Sequence, residues 1–472
     1  MRRLIHVLLW LSSETIGPAV SANEVTPERG GGPADAAHAV LTRATGRALE
    51  GVNIQIGPGR QGSFEAAGGR LALNGESPVE VCRAFYDYAR ARGMGQISWA
   101  EGIHFRIPDV WPDSPPTAVA SPFSIRHAYN AVTAGYTFPF WTWERWEREL
   151  DWQALHGFNM LMAPVATEAI LERVWLRLGL TRAEIDANAC GPAHLPFLRM
   201  GCITGIDGPL PPSWHADQIA LQHRILTRMR ELGMDPVIQG FNGFVPRGFT
   251  RLHPESRVYE TVWNGSLPPA NRAMLLSPDD PQFAVITRLY LEEWRKEFGP
   301  ARHILVDSFN ELEIPDTGRP EAEWLADCGR SVWRAIESAQ PDGIWVIQGW
   351  TFGYKNWSRE NLAALFNAVP DDRLLVLDYA NDYANCWGKY NDERGAFHGK
   401  PWVFGYVPNM GGKTAFTGNL DFYARASAEA LASDKRGRLV GFTISGEGLE
   451  NNEALYELLA DMAWSRDPIA LD

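Results

Sequence analysis

From residue 126 onward, short apolar runs alternate with longer stretches whose apolar residues recur every three or four positions. The runs predict strands at Arg126–Asn130, Phe158–Ala163, Pro236–Phe241, Ile304–Ser308, Ile344–Gln348, Leu374–Leu377, Trp402–Tyr406 and Leu439–Ile444. The helical spacing predicts Trp143–Ala154, Ala216–Leu232, Gln282–Phe298, Pro320–Ser338 and Leu420–Ser433. Eight strands separated by helices over about 350 residues is the arithmetic of a (β/α)8 barrel. An open, doubly wound sheet predicts the same alternation. No GxGxxG follows an early strand and no Walker loop is present, which removes the usual reasons to prefer it.

The leading part of the chain reads differently. Ala34–Thr45 predicts an amphipathic helix, Val52–Ile56 and Arg70–Gly75 predict strands, and Pro78–Arg92 predicts a second helix. Together they make a small N-terminal α/β domain over 23–116. The proline-rich stretch Pro108–Pro116 reads as the linker that ends it, leaving 117–472 for the barrel. At 472 residues the chain is too long for one ordinary core, so two domains are expected. Arg2 and Arg3 precede the apolar run Leu4–Leu11, and Ala19–Ala22 fits a small-x-small cleavage site. Residues 1–22 therefore read as a weak signal peptide, which implies a secreted or periplasmic protein. No stretch approaches the ~20 apolar residues of a membrane span.

Charge and composition narrow the partners. A net charge of −13, from 44 basic and 57 acidic residues, argues against nucleic acid. The chain is rich in aromatics, with 19 Trp and 13 Tyr. Most belong in the core, and the rest offer flat faces suited to sugar rings. The five cysteines, Cys82, Cys190, Cys202, Cys328 and Cys386, form no CxxC pair, no zinc pattern and no disulfide framework. A single bridge between distant positions stays open.

In such a barrel the active site lies where the strands end. Those positions carry Asp307-Ser308-Phe309-Asn310-Glu311, Gln348-Gly349-Trp350, Asp378-Tyr379, Asn409 and Ser445-Gly446-Glu447-Gly448. Hydrogen-bonding groups that read hydroxyls, aromatic faces that hold rings, and two carboxylates make a sugar site. Breaking a glycosidic bond usually takes one protonated carboxyl and one ionised partner. Glu311, with Asn310 beside it to orient the acid and reach the sugar, suits the first role. Glu447, flanked by Gly446 and Gly448, suits the second, because its backbone can turn sharply. A lone loop glutamate is usually a solvated surface charge. Two at the ends of apolar strands, each among polar and aromatic neighbours, favour chemistry. Glu313 and Glu450 read as rim charges, with Glu313 a candidate modulator of the acid. Asp307 reads as structural, bonded to backbone or to an arginine. His215 reads as a capping or structural group.

Several longer motifs are more specific. Trp143–Trp152 followed by Gly157-Phe158-Asn159, Asp207–Trp214, Phe309-Asn310-Glu311, Gln348-Gly349-Trp350, and Glu447-Gly448 with Asn452 resemble the α-N-acetylglucosaminidases, glycoside hydrolase family 89. The motifs run in family order from about Tyr129 onward, and the leading α/β segment also looks like the family's N-terminal domain. The resemblance implies a retaining hydrolase of terminal α-linked N-acetylglucosamine that needs no metal or cofactor. It puts the acid/base on Glu311 and the nucleophile on Glu447, and it suggests that Asn130, Trp263, Trp350 and Asn409 line the sugar site. Retention implies carboxyl groups about 5–5.5 Å apart.

The chain departs from the family pattern in places. Phe197 stands where the family tends to carry Trp, and Cys202 stands in its Arg-Met-Gly-Asn stretch. Phe244 occupies a position where a polar residue is expected, Met410 replaces an aromatic, and Gly446 replaces a common Pro. These changes admit a related α-glycosidase of altered sugar preference. Family members also continue into a large helical C-terminal domain, whereas this chain ends just past the last barrel helix. That difference admits a partner chain supplying the domain, a more open site, or a non-catalytic carbohydrate-binding subunit.

Overall fold

The computed structural model describes residues 31–471 except Glu101, Asn264, Ser266, Lys355 and Asn356. The segment read as a signal peptide lies outside the described residues. Helix α1 (Pro33–Thr45) leads into strands β1 (Val52–Ile56), β2 (Ser63–Ala67) and β3 (Arg70–Gly75), then helix α2 (Pro78–Ala91). A hairpin of β4 (Gly95–Ser98) and β5 (Gly102–Phe105) follows, and then β6 (Ser114–Ala118). The sheet order is β1-β3-β2-β6. Part of the predicted linker is thus a strand. It can be one because β6 is an edge strand, where Pro115 and Pro116 sacrifice no interior ladder bond.

Helix α2 starts cleanly, with Ser77 accepting from the Glu80 amide and Pro78 in the first turn. It buries Val79, Val81, Ala84, Phe85, Tyr88 and Ala89, packing on β3 on one side and on barrel helix α3 (Trp143–Leu155) on the other. Burial of each of the larger apolar side chains, Val79, Val81 and Phe85, is worth about 1.5–3 kcal/mol. The N-terminal layer therefore docks on the barrel through an apolar face.

Eight parallel strands close the barrel in chain order. They are β7 (Ile125–Ala128), β8 (Met160–Met162), β9 (Asp235–Gln239), β10 (His303–Leu305), β11 (Ile344–Gln348), β12 (Leu374–Asp378), β13 (Trp402–Tyr406) and β14 (Leu439–Ile444). Every residue of β12 and β13 is buried, as a parallel barrel wrapped by helices requires. The predicted strands and four of the five predicted helices are present. Leu420–Ser433 instead breaks into Leu420–Tyr423 and Ala426–Ala432. After β9 the chain makes an unforeseen excursion, the small antiparallel sheet of 244–245, 258–260 and 274–276.

Candidate active site

The two glutamates stand on loops at the C-terminal ends of β10 and β14. Glu311 adopts φ +55°, in the left-handed region a non-glycine residue seldom occupies. Its carboxylate is held from both sides. Trp350 Nε1 donates to Oε1 at 2.7 Å, and Trp263 Nε1 donates to Oε2 at 2.8 Å. Each indole thus meets the carboxylate with its N–H edge.

Glu447 is 7% exposed and deeper. Asn130 Nδ2 donates to Oε1 at 3.0 Å, and the Gly411 amide donates to Oε2 at 2.5 Å. Its backbone is clamped as well: Thr137 Oγ1 donates to the Glu447 carbonyl at 2.5 Å, and the Glu447 amide donates to the Pro408 carbonyl at 3.2 Å. Burial pushes the Glu447 carboxyl up to about 7, against the two N–H donors, and the charge of Glu311 adds to the rise. Burial raises the Tyr136 hydroxyl, and the charges of Glu447 and Glu311 add to the rise. The flanking glycines serve a purpose other than a sharp turn. Neither has a positive φ, but a Cβ on Gly448 would lie 2.6 Å from the Lys413 carbonyl oxygen. Gly448 thus permits the Glu447 loop to lie against the 411–413 loop that supplies the Gly411 amide, while Gly446 makes room for Leu449 and Tyr456.

The other candidates divide. Asn130, Trp263 and Trp350 touch the carboxylates directly. Asn310 is buried, its Nδ2 donating to Met200 Sδ at 3.2 Å and its Oδ1 accepting from Thr351 Oγ1 at 3.3 Å. Tyr379 is buried, with Oη donating to Gln348 Oε1 at 2.9 Å. Asn409 points its side chain into the protein: Nδ2 donates to the Lys413 and Ala415 carbonyls, and Oδ1 accepts from Asn452 Nδ2. In this arrangement it shapes the loop that carries Gly411. Among the described residues Asp307 pairs with no arginine. It accepts from Thr351 Oγ1 and Gln348 Nε2, and burial pushes it up to about 6. His215 pairs with Glu172, away from both carboxylates, and Glu313 is exposed. Phe197 stacks edge-on with Tyr136 and lies 6.1 Å from the Trp263 ring. The Gly411 amide and the Thr137 clamp leave no trace in residue type, so the sequence pattern could not point to them.

Two cavities flank this centre. One, of about 310 Å³, is lined by Trp175, Arg199, His215, Asn242 and Phe244 among others. The second, of about 480 Å³, runs past Asp382, Tyr383 and Asn409. Neither is lined by Glu311 or Glu447. No group of three or more His, Cys, Asp or Glu among the described residues could hold a metal ion. All five cysteines are buried and unbridged.

Comparison with known proteins now decides the family. Residues 126–466 match the alpha-N-acetylglucosaminidase (NAGLU) tim-barrel domain, and residues 35–113 match the NAGLU N-terminal domain. The chain belongs to this glycoside hydrolase family. Human alpha-N-acetylglucosaminidase is 36% identical over 404 residues, which is 85% of this chain and 53% of the human protein. A family 89 glycoside hydrolase from Clostridium perfringens, bound to 2-acetamido-1,2-dideoxynojirimycin, superposes with a TM-score of 0.81 at 25% identity, covering 92% of this chain and 48% of its own. A doubly substituted form of the Clostridium perfringens enzyme, in complex with its substrate GlcNAc-α-1,4-galactose, matches equally. The chain thus spans about half the length of these relatives. The two NAGLU domains account for the α/β layer and the barrel, and the site lies wholly within the barrel match.

Proposed function

We propose that this NAGLU-family chain is a retaining exo-glycosidase that removes terminal α-linked N-acetylglucosamine from glycans. Glu311 serves as acid/base and Glu447 as nucleophile. The observation that carries the reading is the pair itself: two strand-end carboxylates, near enough for the charge of Glu311 to raise Glu447, each with both oxygens held by N–H donors. In the first step a Glu447 oxygen attacks the anomeric carbon while Glu311 gives its proton to the departing glycosidic oxygen. The β-linked glycosyl ester is then attacked by water, whose proton returns to Glu311, and the α configuration is restored. Trp263 and Trp350 fix the acid's orientation. The Asn130 and Gly411 N–H groups favour the ionised form of Glu447 that attack requires, and they offset part of its burial.

The relatives supply the substrate class, because the Clostridium perfringens enzyme takes GlcNAc-α-1,4-galactose. A second reading, an α-glycosidase of altered sugar preference, draws on Phe197, which stands beside Tyr136 and Trp263. Phe140, Val262, Tyr383 and Phe416 are exposed on loops at the C-terminal side of the barrel. We assign that apolar rim to contact with a helical domain that covers the site. We also assign the protein to the secreted or periplasmic space, on the Arg2–Ala22 segment.

The test is hydrolysis of para-nitrophenyl α-N-acetylglucosaminide by the purified chain beside Glu447→Gln. Hydrolysis with retained configuration that falls to background in Glu447→Gln is the expected result. A folded wild-type chain that cleaves the matching α-glucoside or α-galactoside instead would favour the second reading. Activity unchanged in Glu447→Gln would overturn the assignment.

A further inference from the structure

Glu149 lies in mid-helix on α3, at 0% exposure, and the proposed reaction makes no use of it. An isolated carboxylate there would cost several kcal/mol. Glu149 is fully served instead. Its Oε1 accepts from Tyr129 Oη and from Gln153 Nε2 at 3.0 Å, and its Oε2 accepts from Trp99 Nε1 at 2.8 Å and pairs with Arg145 Nη1 at 2.9 Å. Gln153 Nε2 also donates to Tyr129 Oη at 2.7 Å. The Arg145 guanidinium lies 4.5 Å from the Trp99 ring centroid and 4.0 Å from that of Trp141.

Two of these partners sit at meaningful places. Trp99 belongs to the N-terminal domain, in the turn between β4 and β5. Tyr129 directly follows β7 and adopts φ +75°, a conformation that costs an aromatic residue roughly 1–3 kcal/mol unless its surroundings impose it. Its amide donates to the Ile444 carbonyl, and its carbonyl accepts from Ser445 Oγ. The next residue is Asn130, whose Nδ2 reaches both the Ser445 carbonyl and Glu447 Oε1 at 3.0 Å.

We infer that Glu149 is a positioning residue for Glu447, and that through Trp99 it makes the N-terminal domain part of the catalytic machinery. The carboxylate pins the Tyr129 hydroxyl, the pinned ring holds the left-handed backbone, and that backbone aims the Asn130 amide at Glu447. The inference rests on Glu447 being the nucleophile. The groups facing Glu447 are Glu311, Asp382, Tyr136, Tyr379 and Tyr383. Glu149 reaches it only through Asn130.

The test uses Tyr129→Phe and Trp99→Phe, each of which removes one donor to Glu149 while keeping a ring in the core. Two readouts are taken: the Glu447 carboxyl titration by 13C NMR, identified by difference from Glu447→Gln, and kcat and KM on the aryl glycoside. Weakening the Asn130 bond disfavours ionised Glu447. Its midpoint should move to higher pH in both variants, more in Tyr129→Phe, and kcat should fall about 10-fold with KM little changed. Asn130→Ala should shift the midpoint in the same direction, and adding Tyr129→Phe to it should shift it little further. Folded Tyr129→Phe and Trp99→Phe that titrate and turn over like wild type, whatever their loss of stability, would overturn the inference. Failure of the functional reading appears separately, as absent wild-type hydrolysis or an active Glu447→Gln, and leaves the NMR readout decisive.

Discussion

Glu447 combines two opposed demands at a single residue. A nucleophile must be ionised, yet burial and the Glu311 charge push its carboxyl up to about 7. Replacing Glu311 by Gln removes a like charge, which favours ionised Glu447. In Glu311→Gln the acidic limb of kcat/KM should therefore move to lower pH. The measurement uses a dinitrophenyl α-N-acetylglucosaminide, whose leaving group departs without a proton. On substrates with poor leaving groups the same variant should lose about 10²–10⁴-fold in rate. An acidic limb unchanged in Glu311→Gln would mean that the two carboxylates do not share a field. The residue scale also bounds what sequence could reveal. Glu311 and Glu447 stood out because each ends an apolar run among polar and aromatic residues. The inward turn of Asn409 was hidden, because an asparagine's type says nothing of whether its amide meets a sugar or a carbonyl.

At the scale of elements, the barrel was legible because a parallel strand buried on both faces is an uninterrupted apolar run, as in Leu374–Leu377 and Trp402–Tyr406. The β6 strand was illegible because Pro115 and Pro116 signal a break, and only the edge position of that strand makes them harmless. The hairpin β4–β5 and the excursion after β9 were missed because such short strands carry no readable period. The loops that build the site are held by loop-to-loop bonds, which leave no pattern at all. Gly448 offers a direct check on that description. A Cβ there would lie 2.6 Å from the Lys413 oxygen and 2.8 Å from the Gly412 carbonyl carbon, both backbone atoms that cannot swing aside. Gly448→Ala should force the 411–413 loop away and withdraw the Gly411 amide from Glu447. We expect a loss of about 1–3 kcal/mol in urea unfolding and a larger proportional loss of kcat than of substrate binding. A Gly448→Ala chain with wild-type kcat would show that the contact between the two loops is not what holds the nucleophile.

Across the whole molecule, two sets of carboxylates respond to pH in opposite senses. Where α2 meets the helix Glu453–Met462, Arg83 and Arg90 bond Asp461 at 3.0 and 2.7 Å, and His156 bonds Glu457 at 2.7 Å. Burial works against ionisation of Asp461, but the arginines outweigh it. His156 likewise outweighs burial at Glu457, so both carboxyls sit below their ordinary range. The stability they contribute is present above the unfolded carboxylate range and is lost as pH falls through their folded values. At the barrel mouth burial does the reverse. Glu447 and Asp378 rise to about 7, and Asp307 and Asp382 to about 6. Their contribution is complete below the unfolded range, near 4, and is lost as pH rises through 6 to 7. Melting temperature should therefore peak near pH 4, decline from there up to neutrality, and decline again below it. Asp461→Asn should cost roughly 2 kcal/mol at pH 7 and flatten the acidic decline, because a neutral amide no longer titrates against the arginines. Asp378→Asn should raise the melting temperature at pH 8 and leave it nearly unchanged at pH 4. Its Oδ1 is buried without a partner, so the charge it carries at high pH is offset only in part, with the Trp387 amide donating to Oδ2 at 3.2 Å. Thermal melts of the three proteins from pH 2 to 9 test both claims, and a wild-type profile that is flat between pH 4 and 7 would refute the second.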